Sequence, residues 1–266
     1  MKIQQYHRAT SLEDAYNVLM ANPKNHILGG ALWLKQLDRE IETAIDLQDL
    51  KLDEISQSET HFRIGSMTTL YRLESAEALN EWCDQLVRSA MQHIMGVSFR
   101  HSATLGGSIM GRYAFSDLIG VFLVLEAELE FHKTGKMSLE AFLHERKMPN
   151  DILVAIYIPK QKGKSFFKKV SNTRLDFAIL NFAFFKTDDQ LRIAIGSRPS
   201  IAMLAKETMA FINASGWNDD TKPQALELFM NEVSFGNNQR GSAEYRKQLA
   251  KVYFMRGVEE VMKGDC

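Results

Sequence analysis

The chain has 266 residues, of which 45% are hydrophobic and 24% are charged, and its formal net charge at pH 7 is −1. A chain of this size buries a sizeable core, so we expect one large domain or two modest ones. The balanced charge excludes a general electrostatic attraction to nucleic acid or to an anionic membrane.

The cysteines and the apolar runs bear on the cellular compartment. The two cysteines, Cys83 and Cys266, lie far apart in the sequence. They supply neither a disulfide framework nor the set of thiolates that an iron–sulfur cluster needs. The segment Met1–Thr10 lacks the apolar core of a signal peptide, and the longest apolar run, Leu118–Leu125, is too short to span a bilayer. We therefore expect a cytoplasmic protein without a membrane segment.

The N-terminal part of the chain predicts intermixed helices and strands up to about residue 160. Ser11 is expected to cap a helix whose first turn is acidic, and Asn22–Pro23 ends that helix. Short apolar or alternating runs predict strands at 26–28, 43–47, 62–65, 126–131 and 152–158. Further helices are predicted at 32–37, 76–94, 117–125 and 138–144, with a mostly irregular stretch at 96–108.

The C-terminal part predicts strands first and helices afterwards. The segment 160–174 contains lysines and an arginine but no acidic residue, and this change of composition marks a domain boundary. From residue 166 onward, strands are predicted at 166–170, 178–185 and 191–195, and helices at 203–212, 222–233 and 242–262. Strands followed by helices in this order predict a sheet with helices packed on one face.

Two glycine pairs follow apolar runs, and each predicts a turn that approaches a ligand closely. The first is Gly29–Gly30 within Ile27–Ala31, and the second is Gly106–Gly107 within Thr104–Ser108. Glycine permits a positive φ and a close approach of the backbone, and exposed backbone N–H groups form an anion-binding concavity. Together the two turns predict a clamp for the pyrophosphate of a dinucleotide.

A series of segments matches the motifs of a known family in the same order along nearly the full chain. These segments are Leu28–Ala31, Ala44–Leu47, Ile64–Leu70, Arg100–Ser108, Ser116–Leu118, Lys169–Asp176 and Arg240–Arg246. Together they resemble the FAD-binding, or medium, subunits of the molybdenum hydroxylases. That family includes the xanthine dehydrogenase, carbon monoxide dehydrogenase and aldehyde oxidoreductase group.

The resemblance implies an α+β fold with a PCMH-type FAD-binding domain of two α/β subdomains. On this basis the FAD-binding domain comprises residues 1–160, with subdomains at about 1–55 and 56–160. Residues 161–266 then resemble the carbon monoxide dehydrogenase flavoprotein C-terminal domain, which has a three-stranded antiparallel sheet and a helical layer.

The resemblance also implies the function of an oxidoreductase subunit in a xanthine dehydrogenase-like complex. Electrons from a molybdenum site reach FAD through [2Fe–2S] clusters and leave to NAD or another acceptor. The molybdopterin-binding large subunit and the [2Fe–2S] small subunit are expected to be partner chains, because this sequence has no ligand set for either group. The role expected of this chain is to bind the flavin and tune it.

The same resemblance assigns cofactor binding to residues at the two glycine turns and beyond them. It assigns no catalytic residue and no metal ligand to this chain. The assigned residues are Leu28, Gly29, Gly30, Ala31, Leu32, Thr104, Gly106, Gly107, Ser108, Asp117 and Lys169. Most of them have an ordinary structural alternative: the four glycines can form structural turns, and the Thr104 hydroxyl can satisfy local backbone groups. Asp117 can cap the helix it precedes, and Lys169 can be a solvated basic residue.

Departures from the family pattern keep an alternative function open. Ala31 and Leu32 stand where the family commonly has threonine and then aspartate or asparagine. Ser108 replaces a common asparagine, and Met110–Phe115 is bulkier than usual. Backbone N–H bonds to a phosphate contribute roughly 1.5–3 kcal/mol each and survive side-chain changes, so FAD binding is expected to persist. The alternative is a non-catalytic scaffold or assembly subunit that kept the fold and lost FAD.

Overall fold

The computed structural model describes residues 1–36, 38–94, 96–147 and 149–263. They fold into two compact units. The first unit contains residues 1–73, 96–111 and 127–159, and the second contains 74–95, 112–126 and the chain from residue 160 onward. Among the described residues, no helix is both long and apolar enough to cross a membrane.

A parallel sheet forms the N-terminal part of the first unit. Ser11 caps its helix as predicted, because the Ser11 side chain accepts a hydrogen bond from the N–H of Asp14. The sheet has the strand order β1-β3-β2, and α1 packs on β3. The elements are β1 (Lys2–Arg8), α1 (Leu12–Ala21), β2 (His26–Leu28) and β3 (Glu40–Asp46).

A five-stranded antiparallel sheet forms the rest of the first unit, with the order β4-β5-β8-β6-β7. Its strands are β4 (Ile55–Gln57), β5 (His61–Gly65), β6 (Glu128–Phe131), β7 (Gly135–Ser138) and β8 (Leu153–Pro159). The accompanying helices are α2 (Leu70–Glu74), α5 (Val97–Ser102), α6 (Leu105–Met110) and α8 (Leu139–His144).

The second unit is built on a four-stranded antiparallel sheet with the order β12-β11-β10-β9. Its strands are β9 (Lys164–Val170), β10 (Leu180–Lys186), β11 (Leu191–Gly196) and the short β12 (Met203–Leu204). Its helices are α3 (Glu77–Trp82), α4 (Leu86–Met91), α7 (Ile119–Val124), α9 (Lys206–Ser215), α10 (Lys222–Glu232) and α11 (Ala243–Met262).

The core of the second unit shows why strands precede helices in its sequence. Phe182 and Phe184 of β10 point to the face that α9, α10 and α11 cover, where Phe229 stacks on Phe254 with ring centroids 4.3 Å apart. Because side chains alternate along a strand, Ala183 faces the other side of the sheet, where Gly120 of α7 approaches it. The predicted helical layer is confirmed, and α7 covers the opposite face.

The long helical region expected over about 76–94 is divided into two short helices. The chain forms α3 and α4, separated at Asp84 and Gln85, whose φ angles are 50° and 61°. Asp84 binds the edge strand β9: its carboxylate accepts the N–H of Ser165 at 2.7 Å and its carbonyl accepts the Ser165 hydroxyl at 2.8 Å. A break in the helix therefore covers an exposed strand edge, and only the tertiary fold requires it.

The irregular stretch expected over 96–108 is also wrong, because α5 and α6 lie there. Gly96 has a φ of 66° at the start of α5, and Thr104 caps α6 by accepting the N–H of Gly107. Both helices have six residues. A helix of this length is too short to show the hydrophobic period of an α-helix in the sequence. The strands β1 and β7 were not predicted either, since both are mostly exposed and lack apolar alternation.

Candidate functional site

The first glycine turn begins where the parallel sheet ends. Leu28, the last residue of β2, lies opposite Asp46, the last residue of β3. Ligands of open sheets with parallel strands commonly bind beyond the carboxyl ends of the strands. The turn at Gly29–Leu32 follows directly at this edge, and all four of its residues are half-buried.

The backbone of this turn presents unused hydrogen-bond donors. In the described part of the chain, the N–H groups of residues 29–32 make no hydrogen bond. Ala31 has a φ of 54°, which is the left-handed conformation. Successive N–H groups around a left-handed residue form a concavity that binds anions. The first turn therefore has the donor set predicted for a phosphate site.

Close packing requires glycine at positions 29 and 30. A β-carbon on Gly30 would lie 1.7 Å from the carbonyl oxygen of Ser102, and one on Gly29 would lie 2.8 Å from the hydroxyl oxygen of Thr104. The first glycine turn is thus pressed against the segment that leads into the second. The structure brings Gly29, Gly30 and Thr104 together within the first unit.

The second glycine turn is the first turn of α6, and its donors are already used. Gly106 donates its N–H to the carbonyl oxygen of Ser66 at 2.7 Å, and Gly107 donates to the Thr104 hydroxyl at 3.2 Å. Ser108 donates its hydroxyl to the carbonyl oxygen of Thr104 at 2.8 Å. The expectation of exposed N–H groups at this turn is therefore wrong, because they form the cap of a helix. Gly107 is exposed, whereas Gly106 is buried.

Two residues beside the glycine turns were missed by the sequence reasoning. Ser66 and Thr68 accept N–H bonds from Gly106 and Leu105 through their carbonyls, at 2.7 Å and 2.8 Å. Their hydroxyls are buried and have no hydrogen-bond partner among the described residues. They belong to the matched segment Ile64–Leu70, so the sequence signal was present although neither was singled out.

Asp117 and Lys169 form a buried ion pair in the second unit. The Lys169 ammonium lies 2.9 Å from Asp117 Oδ2, with side chains that are 4% and 6% exposed, and it donates to the carbonyl oxygen of His93 at 3.0 Å. Burial raises the pKa of the Asp117 carboxyl, and the Lys169 ammonium acts in the opposite direction. The capping alternative is wrong for Asp117, because the hydroxyl of Ser116 accepts the N–H groups at the start of α7. The solvated alternative is wrong for Lys169, because its ammonium is buried.

The bulky loop before Asp117 packs on its own unit. The Phe115 ring lies 5.1 Å from the Tyr113 ring and 4.3 Å from the Phe177 ring, between centroids. The Arg240 guanidinium lies 4.8 Å from the Phe177 ring and 3.6 Å from the Asp176 carboxylate. The large side chains of this loop are therefore part of a local aromatic cluster. In the described part of the chain, no group of His, Cys, Asp or Glu side chains is arranged to hold a metal ion.

Comparison with known families divides the chain into two matched segments. Residues 1–161 match the FAD binding domain in molybdopterin dehydrogenase. Residues 165–261 match the CO dehydrogenase flavoprotein C-terminal domain. The junction between them, at 162–164, lies within the segment 160–174 in which the composition changes. The boundary at 160/161 stays a prediction, because packing places 74–95 and 112–126 in the second unit.

Individual relatives extend over the full chain. The xanthine dehydrogenase FAD-binding subunit of Escherichia coli O157:H7 is 26% identical and aligns over 97% of this chain and 95% of its own length. The glyceraldehyde dehydrogenase medium chain of Sulfolobus acidocaldarius is 24% identical, with 96% and 97% covered. Quinoline 2-oxidoreductase from Pseudomonas putida 86 contains a chain with the same fold, with a TM-score of 0.87, 23% identity and coverage of 98% and 97%.

Proposed function

Because the chain belongs to the family of FAD-binding subunits of molybdopterin dehydrogenases, we propose that it is the flavin-carrying electron-transfer subunit of such a complex. In this role it receives electrons from [2Fe–2S] clusters of a small partner subunit, and a molybdopterin-binding large subunit carries out the substrate chemistry. The electrons then leave to NAD or another acceptor. Bound FAD supplies the redox chemistry, and the protein binds and orients it.

The observation that carries the proposal is the free donor set of the first glycine turn. The N–H groups of residues 29–32 are unused within the described chain and surround the left-handed Ala31. A pyrophosphate is an anionic group that such a concavity accommodates. The residues present fit the cofactor, because this contact needs no side chain at Ala31 or Leu32. The departures from the family pattern at these positions therefore do not remove the main binding interaction.

The remaining assigned residues are part of the same proposal. Leu28 leads into the first turn, and Thr104 and Gly107 lie beside it, since a β-carbon on Gly29 would stand 2.8 Å from the Thr104 hydroxyl oxygen and 3.7 Å from the Gly107 Cα. Ser108 follows Gly107 in α6 and is assigned to the cofactor by the family resemblance. Gly106 contributes by letting α6 lie against Ser66, since a β-carbon there would stand 2.7 Å from the Ser66 carbonyl oxygen. The family resemblance further assigns Asp117 and Lys169 to the cofactor, and that assignment is proposed on the same basis.

Retention of flavin by the purified full chain tests the proposal. We expect FAD added to the chain to remain bound through gel filtration and to show protein-bound flavin absorption. Riboflavin, which has no phosphate, should be lost on the same column, and ADP should displace FAD in competition. Thr104→Ala should weaken FAD binding about tenfold, the effect of about 1 kcal/mol expected for one lost hydroxyl contact.

The outcome distinguishes the two functions considered. Failure to retain FAD, with excess cofactor and with both partner subunits present, would leave the non-catalytic scaffold as the better account. Equal retention of FAD and riboflavin would also contradict the proposal, because the phosphate site would then contribute nothing. Co-purification of the chain with molybdenum- and iron-containing partners tests the placement in a complex.

A further inference from the structure

A row of three residues crosses the sheet of the second unit beside the buried ion pair. Asn181 of β10 lies opposite Lys169 of β9 and opposite Gly196 of β11. Directly opposed residues of an antiparallel sheet project to the same face. The row therefore places a cation, an amide and a residue without a side chain next to one another.

The amide of Asn181 connects this row to Asp117. Asn181 is 3% exposed, and its Nδ2 donates to Asp117 Oδ1 at 2.9 Å and to the carbonyl oxygen of Ser116 at 3.0 Å. The Ser197 hydroxyl lies 3.2 Å from the same nitrogen. The two carboxylate oxygens of Asp117 thus have different partners, since Oδ1 accepts from Asn181 and Oδ2 accepts from Lys169.

Gly196 provides the space that this amide needs. A β-carbon on Gly196 would lie 2.4 Å from Asn181 Oδ1. Any larger residue at 196 would push the amide away from Asp117. The geometry therefore depends on two residues, Asn181 and Gly196, that no motif identified.

We propose that Asn181 is a positioning residue that keeps the Asp117 carboxylate charged and directed at Lys169, so that it sets the net charge that Lys169 presents to the cofactor. A buried carboxylate remains ionised only when its oxygens are paired and hydrogen-bonded. With Asn181 in place, the Lys169 charge is balanced by Asp117. Without it, the proton affinity of Asp117 rises, and the charge of Lys169 is less fully balanced. The second half of this inference rests on the proposed function, because it requires Lys169 to contact FAD.

The neighbouring charged groups do not replace this amide. When it is protonated, His93 lowers the pKa of Asp117, whereas Lys169, Lys168 and Arg174 lower the pKa of His93 and Asp117 raises it. Burial lowers the pKa of His93, so that side chain is mainly neutral near pH 7. Asn181 is therefore the neutral donor that supports the Asp117 charge independently of pH.

Carboxyl NMR on the cofactor-free full chain tests whether Asn181 keeps the Asp117 carboxylate charged. The Asp117 side-chain ¹³C resonance is assigned with Asp117→Asn and titrated with pH. Asn181→Leu is expected to raise the proton affinity of Asp117 at least tenfold. Gly196→Ala displaces the Asn181 amide without removing it. This variant is also expected to raise the proton affinity of Asp117. Asn181→Ala, which removes the amide without adding a charge, covers the case in which Asn181→Leu does not fold.

Two controls separate this role from general stability. Asn80→Leu removes a fully buried asparagine whose amide donates to the carbonyl oxygens of Glu74 and Ala76 and accepts the N–H of Arg88. Ser197→Ala removes only the longest contact of the Asn181 amide. Both variants are expected to leave the Asp117 titration unchanged. An unchanged titration in Asn181→Leu and Asn181→Ala would overturn the proposal.

The reduction potential of bound FAD tests the second half. In Asn181→Leu, the less fully balanced Lys169 charge should favour the more negative reduced cofactor about tenfold, which is about 30 mV for a two-electron couple. Asn80→Leu should not shift the potential. A changed titration with an unchanged potential would overturn the link to the cofactor. Loss of FAD binding by the unmodified chain would instead count against the proposed function, and the NMR titration would still decide the role of Asn181.

Discussion

Gly29 lies so close to Thr104 that a β-carbon on Gly29 would stand 2.8 Å from the Thr104 hydroxyl oxygen. The two residues belong to different glycine turns of the first unit. The same hydroxyl accepts the N–H of Gly107 and so caps α6. The Thr104 side chain therefore caps the helix that begins with the second turn and also limits the space available to the first turn.

A double substitution at these positions should show energetic coupling. Gly29→Ala is expected to lower the free energy of unfolding by about 1–3 kcal/mol through overpacking, and Thr104→Ala by about 1 kcal/mol through the lost helix cap. Because Thr104→Ala also removes the atom that Gly29→Ala meets, the double variant should lose at least about 1 kcal/mol less than the sum. Urea denaturation of the full chain measures all three. Gly135→Ala meets nothing within 4 Å, so its effect should add to that of Thr104→Ala. If the effects of Gly29→Ala and Thr104→Ala on the free energy of unfolding were additive, the close approach of these two residues would be contradicted.

Ala31→Gly should stabilise the protein and keep FAD binding. Ala31 holds a φ of 54°, a left-handed conformation that costs a residue with a side chain roughly 1–2 kcal/mol. Glycine avoids this cost but is more flexible when unfolded, so the net gain is expected to be about 0.5–1 kcal/mol. Thermal or urea unfolding measures it. The control is Ala141→Gly in the helix α8, which should destabilise by about 1 kcal/mol. A loss of stability in Ala31→Gly would contradict the assigned backbone conformation.

Arg246→Lys should destabilise the second unit strongly although the charge is kept. Arg246 is fully buried and donates to the carbonyl oxygens of Ile179, Gly236 and Gly241. A single ammonium cannot reach these diverging acceptors, whereas the guanidinium fork does. We expect a loss of about 3 kcal/mol in the free energy of unfolding, corresponding to hydrogen bonds from a charged group. The matched substitution on the same helix is Arg256→Lys at an exposed position, and it should change stability by less than about 0.5 kcal/mol. Equal losses of stability at positions 246 and 256 would contradict the role given to the hydrogen bonds of the Arg246 guanidinium.

Asp151→Asn should remove stability that depends on pH. Burial raises the pKa of the Asp151 carboxyl, but hydrogen bonds from the Thr134 hydroxyl and from the N–H groups of Thr134, Ile152 and Lys133 outweigh it, so the pKa lies below its ordinary value. A lowered pKa stabilises the folded protein above the unfolded value, which is about 3.9, and this stabilisation disappears as the pH falls through the folded value.

The difference in unfolding free energy between the unmodified chain and Asp151→Asn should therefore be about 2 kcal/mol at pH 7. It should shrink steadily once the pH drops below about 4. Urea denaturation at several pH values measures this dependence. Glu59→Gln, at an exposed position, serves as the comparison and should show little effect at pH 7. A difference that is constant from pH 7 down to acid would show that Asp151 contributes by shape and not by charge.

Several parts of this protein could be predicted from local sequence signals. Ser11 marks the start of α1, because a side-chain cap acts on N–H groups only a few residues away. The strands β10 and β11 were predicted from mainly apolar segments, and nearly all of their residues are buried. The two glycine turns were singled out for a role in phosphate binding, and the first of them does present free donors. The second was misjudged because a helix of six residues leaves no periodic pattern.

By itself the sequence determined the family, the order of the motifs and the positions of the glycine turns, because these depend on residue type and local spacing. Tertiary structure alone decided that Gly30 meets Ser102, that Asp84 interrupts a helix to cover β9, and that Asp117 is held by Asn181, 64 residues further along. The physical reason is that burial and hydrogen-bond partners of a side chain are supplied by segments distant in the sequence. A motif can name Asp117 and Lys169, but only the register of β9, β10 and β11 places the amide that supports their charges.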